Sequence, residues 1–332
     1  MCVPDHRQAI PCRDIVQRCW ELKRKYRVRA ICISRRSRAN IYRVKGNRIL
    51  NESSVLRVFL AHSKEDKSLV REIFFLLKLD GFLPWFDEEN LIAGQNWKFE
   101  IEKAVEASHV VALFISPSGI DRAGYLHKEL SLAMDVAERQ PECTICLVPI
   151  LLGGSVHVPR ILSHLQWQIT CLNGDVGNVV SIYRALQRSL LVKALELGQI
   201  KDYELDTMLS YMRKDYDQRV GHLNEGIYLV RGQNPKGSKY YGIAEAKSSH
   251  QKLEMTWNIG GHITKCYEKE ASVNCDNLCD PDAITLVGDY EVTYEGPSVI
   301  GTYSGTWGPG GIEDLIPASP LARGDRLNKV RF

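Results

Sequence analysis

Two pairs of soft ligands fall within eighteen residues: His262-x3-Cys266 and Cys275-x3-Cys279. Imidazole and thiolate suit zinc, but structural zinc sites more commonly pair a Cys-x2-4-Cys with a second close pair. The spacing is therefore tolerable without being distinctive, and the expectation is no metal. Cys143 and Cys146 have C-x-x-C spacing, yet they sit in an apolar run ending at Leu152. A redox dithiol belongs at a helix start, so both are expected to pack in a buried strand. No G-x-G-x-x-G follows a strand. The stretch from Gly232 to Ser238 places its lysine before the second glycine, and Asn234-Pro235-Lys236-Gly237 reads as a hairpin turn.

The elements that must position any site are easier to read. Val55 to Leu60 is a strand, followed by Leu69, Ile73, Leu76 and Leu77 at helical spacing. Phe82 to Phe86 is a short strand ending at an acidic loop, Asp87-Glu88-Glu89-Asn90. Trp97, Ile101, Ala104, Val105 and Ser108 mark one helix face, with packing expected of Trp97. His109 to Ile115 is a strand apolar enough to be covered on both sides. A helix through Leu126, Leu130, Ala133 and Ala137 comes next, then strands at Cys143–Leu152 and Trp167–Leu172, and a closing helix from Val179 to Leu195. Alternating β and α elements with apolar strands predict a flavodoxin-like, doubly wound parallel sheet of five strands over 54–195. Ligands of such sheets sit at the carboxyl ends of the strands. That edge holds Ala61, His62 and Ser63, then Asp87 and Glu89, then Ser116. The bland alternatives are solvated loop acids for Asp87 and Glu89 and a structural hydrogen bond for His62.

Residues 196–221 read as a charged helical linker. From 222 to 317 the pattern turns all-β, with short apolar stretches separated by turns such as Gly260-Gly261 and Gly296-Pro297, which predicts a small barrel or sandwich. Residues 318–332 read as a frayed tail.

Composition is that of a globular protein, with 44% hydrophobic and 25% charged residues in 332. The longest apolar run is far short of the ~20 residues of a membrane helix. The N-terminus lacks the apolar core of a secretory signal. Ten cysteines in this length do not make a disulfide scaffold, so a cytoplasmic location without membrane contact is expected. The net charge of +3 hides an asymmetry: residues 1–53 carry fourteen Lys or Arg against four Asp or Glu. That stretch reads as a poorly ordered basic extension, or as a start assigned too early. Over 222–316 there are seven basic and thirteen acidic residues, which argues against nucleic acid as that region's ligand.

Three segments carry a family resemblance. Val58-Phe59-Leu60-Ala61-His62-Ser63-Lys64-Glu65-Asp66 resembles the opening box of a TIR (Toll/interleukin-1 receptor) domain. Gly81 to Asp87 and Leu91 to Gln95 are similar to that family's second strand and BB loop. Phe114 to Ser118, followed by Tyr125 to Leu130, resembles its third box. The boxes stand in the family's order and spacing across about 55–190. The C-terminal part, with Gly226-x-Tyr228, Trp257-x-Ile259 and Gly305-Thr306-Trp307, is weakly similar to a lipocalin-like barrel.

The resemblance is to the bacterial NAD-cleaving type, and it implies cleavage of the nicotinamide–ribose bond with NAD as substrate and no cofactor. It places the catalytic carboxylate at Glu129, which otherwise reads as a surface residue beside Lys128. Tyr125, where the family more often has Trp, would stack on the nicotinamide. Ala61, His62, Ser63, Trp85 and Ser116 become substrate-binding candidates, with Asp87 and Glu89 against ribose hydroxyls and Trp97 as an adenine contact. The resemblance also implies a homo-oligomer built through Asp87 to Gln95, an antiphage defence or cell-death effector, and an activating ligand or protein for the barrel. A non-enzymatic adaptor acting through TIR–TIR association is the competing expectation.

Overall fold

The computed structural model describes residues 55–117, 120, 128–139, 146–153, 168–170, 176–213, 223–249, 252–269, 283–288, 290–298 and 300–322. The basic stretch 1–53 lies outside them. Strands β1 (Arg57–Ala61), β2 (Leu83–Trp85), β3 (Val110–Ile115), β4 (Cys146–Leu152) and β5 (Gln168–Thr170) form a parallel sheet in the order β2-β1-β3-β4-β5. Every residue of β3 is buried, as its unbroken apolar run requires of a central strand. The first half of β4 is only partly buried, so Cys146 is not the fully packed residue expected; Cys143 lies outside the described residues.

Helices cover both faces. On one side α1 (Lys67–Leu79) and α5 (Val176–Glu196) press Ile73, Leu76, Leu77, Ile182, Leu186 and Leu190 against the sheet. On the other, α3 (Trp97–Glu106) and α4 (Lys128–Glu138) contribute Ile101, Val105, Leu130, Ala133 and Met134. The helical spacing read from the sequence holds at Ile101, Val105 and Ser108, but Trp97 is 48% exposed, against the packing expected of it. It occupies the first helical position, just after the Asn96 cap and one turn short of the buried part of that face. The acidic segment read as a loop is one helical turn, α2 (Asp87–Asn90). Three acids in a first turn suit the unpaired N–H groups there, and the Phe86 N–H adds a bond to the Asn90 side chain at 2.9 Å.

After helix α6 (Asp202–Arg213), eight antiparallel strands close into a barrel: β6 (Gly226–Gln233), β7 (Lys239–Ser249), β8 (Lys252–Ile259), β9 (His262–Glu268), β10 (Ala283–Gly288), β11 (Glu291–Glu295), β12 (Tyr303–Trp307) and β13 (Gly311–Pro317). Closure decides for a barrel over a sandwich, because β9 pairs with β10 and β13 with β6. Asn234 to Gly237 makes the expected hairpin turn, with Asn234 Oδ1 accepting from the N–H groups of Lys236 and Ser238. His262 and Cys266 do not converge as ligands. Four residue steps along the strand place them about 13 Å apart, His262 is exposed at the turn, and Cys266 is buried in the barrel core. Cys275 and Cys279 lie outside the described residues.

The barrel wall is also part of the core beneath α1 and α5. Leu229, Ile243 and Ile316, pointing outward from β6, β7 and β13, join the same apolar cluster as Ile73 and Leu186. Phe75 of α1 stacks on Tyr241 at 5.1 Å. Charge is buried in this seam. Arg231 of β6 places Nη2 2.8 Å from Glu72 of α1 and Nη1 3.1 Å from Asp314, while Lys239 reaches the other Glu72 oxygen at 2.6 Å. A second knot joins the end of α1 to the chain just beyond β13. Asp80 accepts from the Tyr183 hydroxyl at 2.6 Å, the Gln187 amide at 2.8 Å and the Ser319 N–H at 2.5 Å. Arg184 donates to the carbonyls of Ile300 and Pro317 at 3.0 and 3.3 Å. The start of the expected frayed tail is therefore docked, with Ser319 and Ala322 both buried.

The seam generates two expectations. Arg231→Leu leaves Asp314 without its guanidinium and Glu72 with Lys239 alone, and should cost about 3 kcal/mol, the lower end for a broken buried pair, in equilibrium urea unfolding. The double variant Glu72→Leu/Arg231→Leu should recover part of that loss. Burial pushes the Asp80 carboxyl up from 3.8 to about 6. A raised carboxyl favours the protonated form in the folded state, so its contribution is complete below about 3.8 and is lost as pH rises through about 6. Asp80→Asn should flatten that part of the stability–pH curve, read by thermal unfolding across the same window.

Candidate active site

The carboxyl edge of the sheet gathers the loops after β1, β2 and β3. Ala61 ends β1 in the buried core. The His62 ring then turns back, Nδ1 lying 2.9 Å from the Leu60 carbonyl, a contact that requires the hydrogen on that nitrogen. This assigns His62 the structural bond expected of it and leaves Nε2 facing Asp87, 3.5 Å from Oδ1. The imidazole also lies against Phe86, with ring centroids 5.1 Å apart.

Asp87 is held from a second side by Lys67, the first residue of α1, at 2.8 Å. One turn further along α1, Arg71 pairs with Glu88. The β2–α2 corner is thus tied down by the helix that also carries Glu72 into the barrel seam. The Arg71 guanidinium beside Glu88 holds that carboxyl below its usual range. Burial opposes, and the Asp87 and Glu88 carboxylates outweigh it, in a net rise for the Lys67 ammonium.

A neighbouring bond set joins the first and third loops. Ser63 and Ser116, both buried, donate their hydroxyls to the same oxygen of Asp66 at 2.6 and 2.7 Å. Two of the candidates, Ser63 and Ser116, are therefore committed to a shared carboxylate that the sequence reading did not single out. Ser63-x-x-Asp66 has the spacing of a local hydroxyl–carboxylate pair, the one signal that could have shown it.

The remaining candidates are placed differently. Trp85 stacks on Phe59 of the paired strand, centroids 4.8 Å apart and planes 16° from parallel. Glu89 is exposed on α2. Trp97, Phe99 and Ile92 form exposed apolar points at 48, 59 and 71% around the segment between α2 and α3. Glu129 is the second residue of α4. Its side chain and the whole of Tyr125 lie outside the described residues. Among the described residues no group of three potential metal ligands converges, and no helix is long and apolar enough to cross a membrane.

A family model described as TIR domain matches residues 58–173. Those residues are a TIR domain. The stimulator of interferon genes protein of Magallana gigas is 27% identical over 143 residues, covering 42% of this chain and 33% of that protein. The chain thus spans about a third of that curated relative's length. Among solved structures, a metazoan TIR-STING receptor from C. gigas, in complex with 2',3'-cGAMP, is 18% identical. It covers 61% of this chain and 72% of its own, with a TM-score of 0.33. The TIR domain of a Toll-related receptor from Hydra magnipapillata is 20% identical, covering 40% and 95%, with a TM-score of 0.31.

The Asp66 bridge is testable within the TIR domain. Asp66→Ala leaves two buried hydroxyls without their acceptor, and should destabilise the protein by about 1–3 kcal/mol. Hydrogen exchange should rise selectively at 62–67 and 115–117, the two loops the carboxylate joins.

Proposed function

We propose that the TIR domain cleaves the nicotinamide–ribose bond of NAD, giving nicotinamide and ADP-ribose or a cyclic isomer, and serves as a defence or cell-death effector. The observation that supports this most directly is the position of Glu129. It stands in the first turn of α4, the helix that follows β3, and the loops after β1, β2 and β3 hold the His62–Asp87 and Ser63–Asp66–Ser116 contacts. Nicotinamide leaves as a neutral molecule from a cationic substrate, so it needs little acid assistance. The barrier lies in the positive charge that develops on the ribose. A carboxylate held against the sugar stabilises that charge, as in other glycosyl transfers through oxocarbenium-like states. Asp87 is suited to accept from ribose hydroxyls and Tyr125 to pack against the departing ring.

Assembly enters through the segment Asp87 to Gln95. Ile92, Trp97 and Phe99 expose apolar area beside it, which supports association with a second copy. The same exposure favours the second reading, a TIR adaptor that only binds other TIR domains. Nicotinamide release by wild type at high protein concentration with a crowding agent, set beside Glu129→Ala, separates the two. Catalysis through Glu129 predicts a loss of about 100-fold or more. An adaptor predicts silence from both proteins, with association abolished by Ile92→Asp and untouched by Glu129→Ala. Equal release from both would remove Glu129 from the mechanism.

A further inference from the structure

The barrel holds a charged group that the TIR chemistry does not use. Glu313 points inward from β13 and is 2% exposed. Its Oε1 accepts from the Trp257 indole N–H at 2.9 Å and from the Tyr294 hydroxyl. Its Oε2 accepts from the Tyr240 hydroxyl at 2.8 Å. A carboxylate offers about four lone-pair sites, so Oε2 keeps one acceptor position beyond these three bonds. Among the described residues no lysine, arginine or histidine pairs with Glu313, unlike Glu72 in the seam. Burying a carboxylate without a cation is costly, and burial holds this carboxyl above its usual range.

Between Glu313 and solvent stand three half-buried rings, Tyr240, Tyr290 and Trp307, at the barrel end where the β6–β7, β8–β9 and β12–β13 turns lie. The Trp307 N–H donates to the Tyr240 hydroxyl at 2.9 Å, continuing the chain that ends on Oε2. Trp307 lies 5.6 Å from Tyr290 and 6.3 Å from Tyr240, at plane angles of 48° and 59°, so these rings meet at a tilt rather than face to face. The wall beneath is cut back to seat the rings. A Cβ at Gly232, Gly305 or Gly311 would stand less than 3.0 Å from the rings of Tyr240, Tyr294 and Trp307. Aromatic faces attract cations, and a buried carboxylate attracts them more strongly. An eight-stranded barrel is about wide enough for side chains to fill or for one small ligand. Here Met255, Trp257, Leu286 and Tyr294 fill the middle, so a ligand reaches Oε2 by parting the three rings at this end.

We propose that this end of the barrel binds a small planar aromatic cation, its plane against Trp307 and Tyr290 and its N–H donors on Glu313 Oε2. The assignment goes beyond the NAD reading and stands whether or not the TIR domain is an enzyme. Benzamidine, benzamide and benzoate share one ring and differ in charge, so they serve as probes in calorimetric titration of the full chain. Saturable benzamidine binding is expected, about tenfold or more tighter than benzamide, with no binding of benzoate. Glu313→Gln keeps an acceptor for Trp257 and Tyr294 and removes the charge, and should weaken benzamidine by about tenfold or more while thermal unfolding stays cooperative. Trp307→Leu changes only a half-buried rim residue and should also weaken it; this variant decides the matter if Glu313→Gln fails to fold. Absence of saturable benzamidine binding by wild type, equal binding of benzamide, or full affinity in Trp307→Leu would overturn the proposal.

Discussion

Burial of the Glu72 carboxylate against Arg231 constrains the rest of the molecule more than any other interaction. Separating the pair would leave buried Glu72 with only the half-exposed Lys239 and Arg231 with only Asp314, each short of the partners that offset its burial. The barrel therefore cannot swing away from α1 as a domain on a loose linker would. Leu229, Ile243 and Ile316 close the same seam with apolar area, so wall and helix share one core rather than meeting across a wet interface. The Asp80 knot fixes the far end of α1, and Ser319 draws the chain after β13 back onto it.

This makes α1 a shared element in a literal sense. Its thirteen residues face three neighbours. Val70, Ile73, Leu76 and Leu77 turn to the sheet, Glu72 and Phe75 to the barrel, and Lys67 and Arg71 to the β2–α2 corner. A helix repeats every 3.6 residues, so these faces cannot be reoriented independently. Whatever displaces β6 or β7 acts on the helix that also positions Asp87 and Glu88. Packed helices of this kind move as rigid pieces, because the interior is too dense to absorb the strain locally.

Much of this was legible in the sequence where the signal is local and periodic. The apolar run of β3, the helical spacing of Ile73 and Leu77, and the Asn234–Gly237 turn each arise from neighbours within a few residues. The features that escaped reading depend on residues far apart in the chain. The spacing of Trp97, Ile101 and Val105 describes one helix face, but only the surrounding elements decide whether its first residue is covered. Ser319 follows the last strand in a proline-flanked stretch without periodic signal, and its partner Asp80 lies 239 positions away. Barrel and sandwich share the same alternation, and the β9–β10 ladder that decides between them joins segments separated by a long connection. At the site, the loops were legible and the bonding was not. Asp66 is one acid among several after β1, until Ser63 and Ser116 are both seen to donate to it.

The electrostatics of the strand-end edge divide the work among its carboxylates. Asp66 is occupied by two hydroxyls and acts as a joint between loops. Glu88 is paired with Arg71 at the surface. Asp87 lies 2.8 Å from an ammonium, so the field it projects toward a positive charge on a bound sugar is largely cancelled by Lys67. Asp87 retains its capacity to accept hydrogen bonds, which orients hydroxyls without stabilising a cation. In the proposed reaction, the stabilisation of developing charge falls instead to Glu129, the acid in the first turn of α4. Under the proposed chemistry, binding and charge stabilisation thus fall to different strands' loops. The former rests on a corner that α1 ties to the barrel, the latter on a helix packed against the opposite face of the sheet.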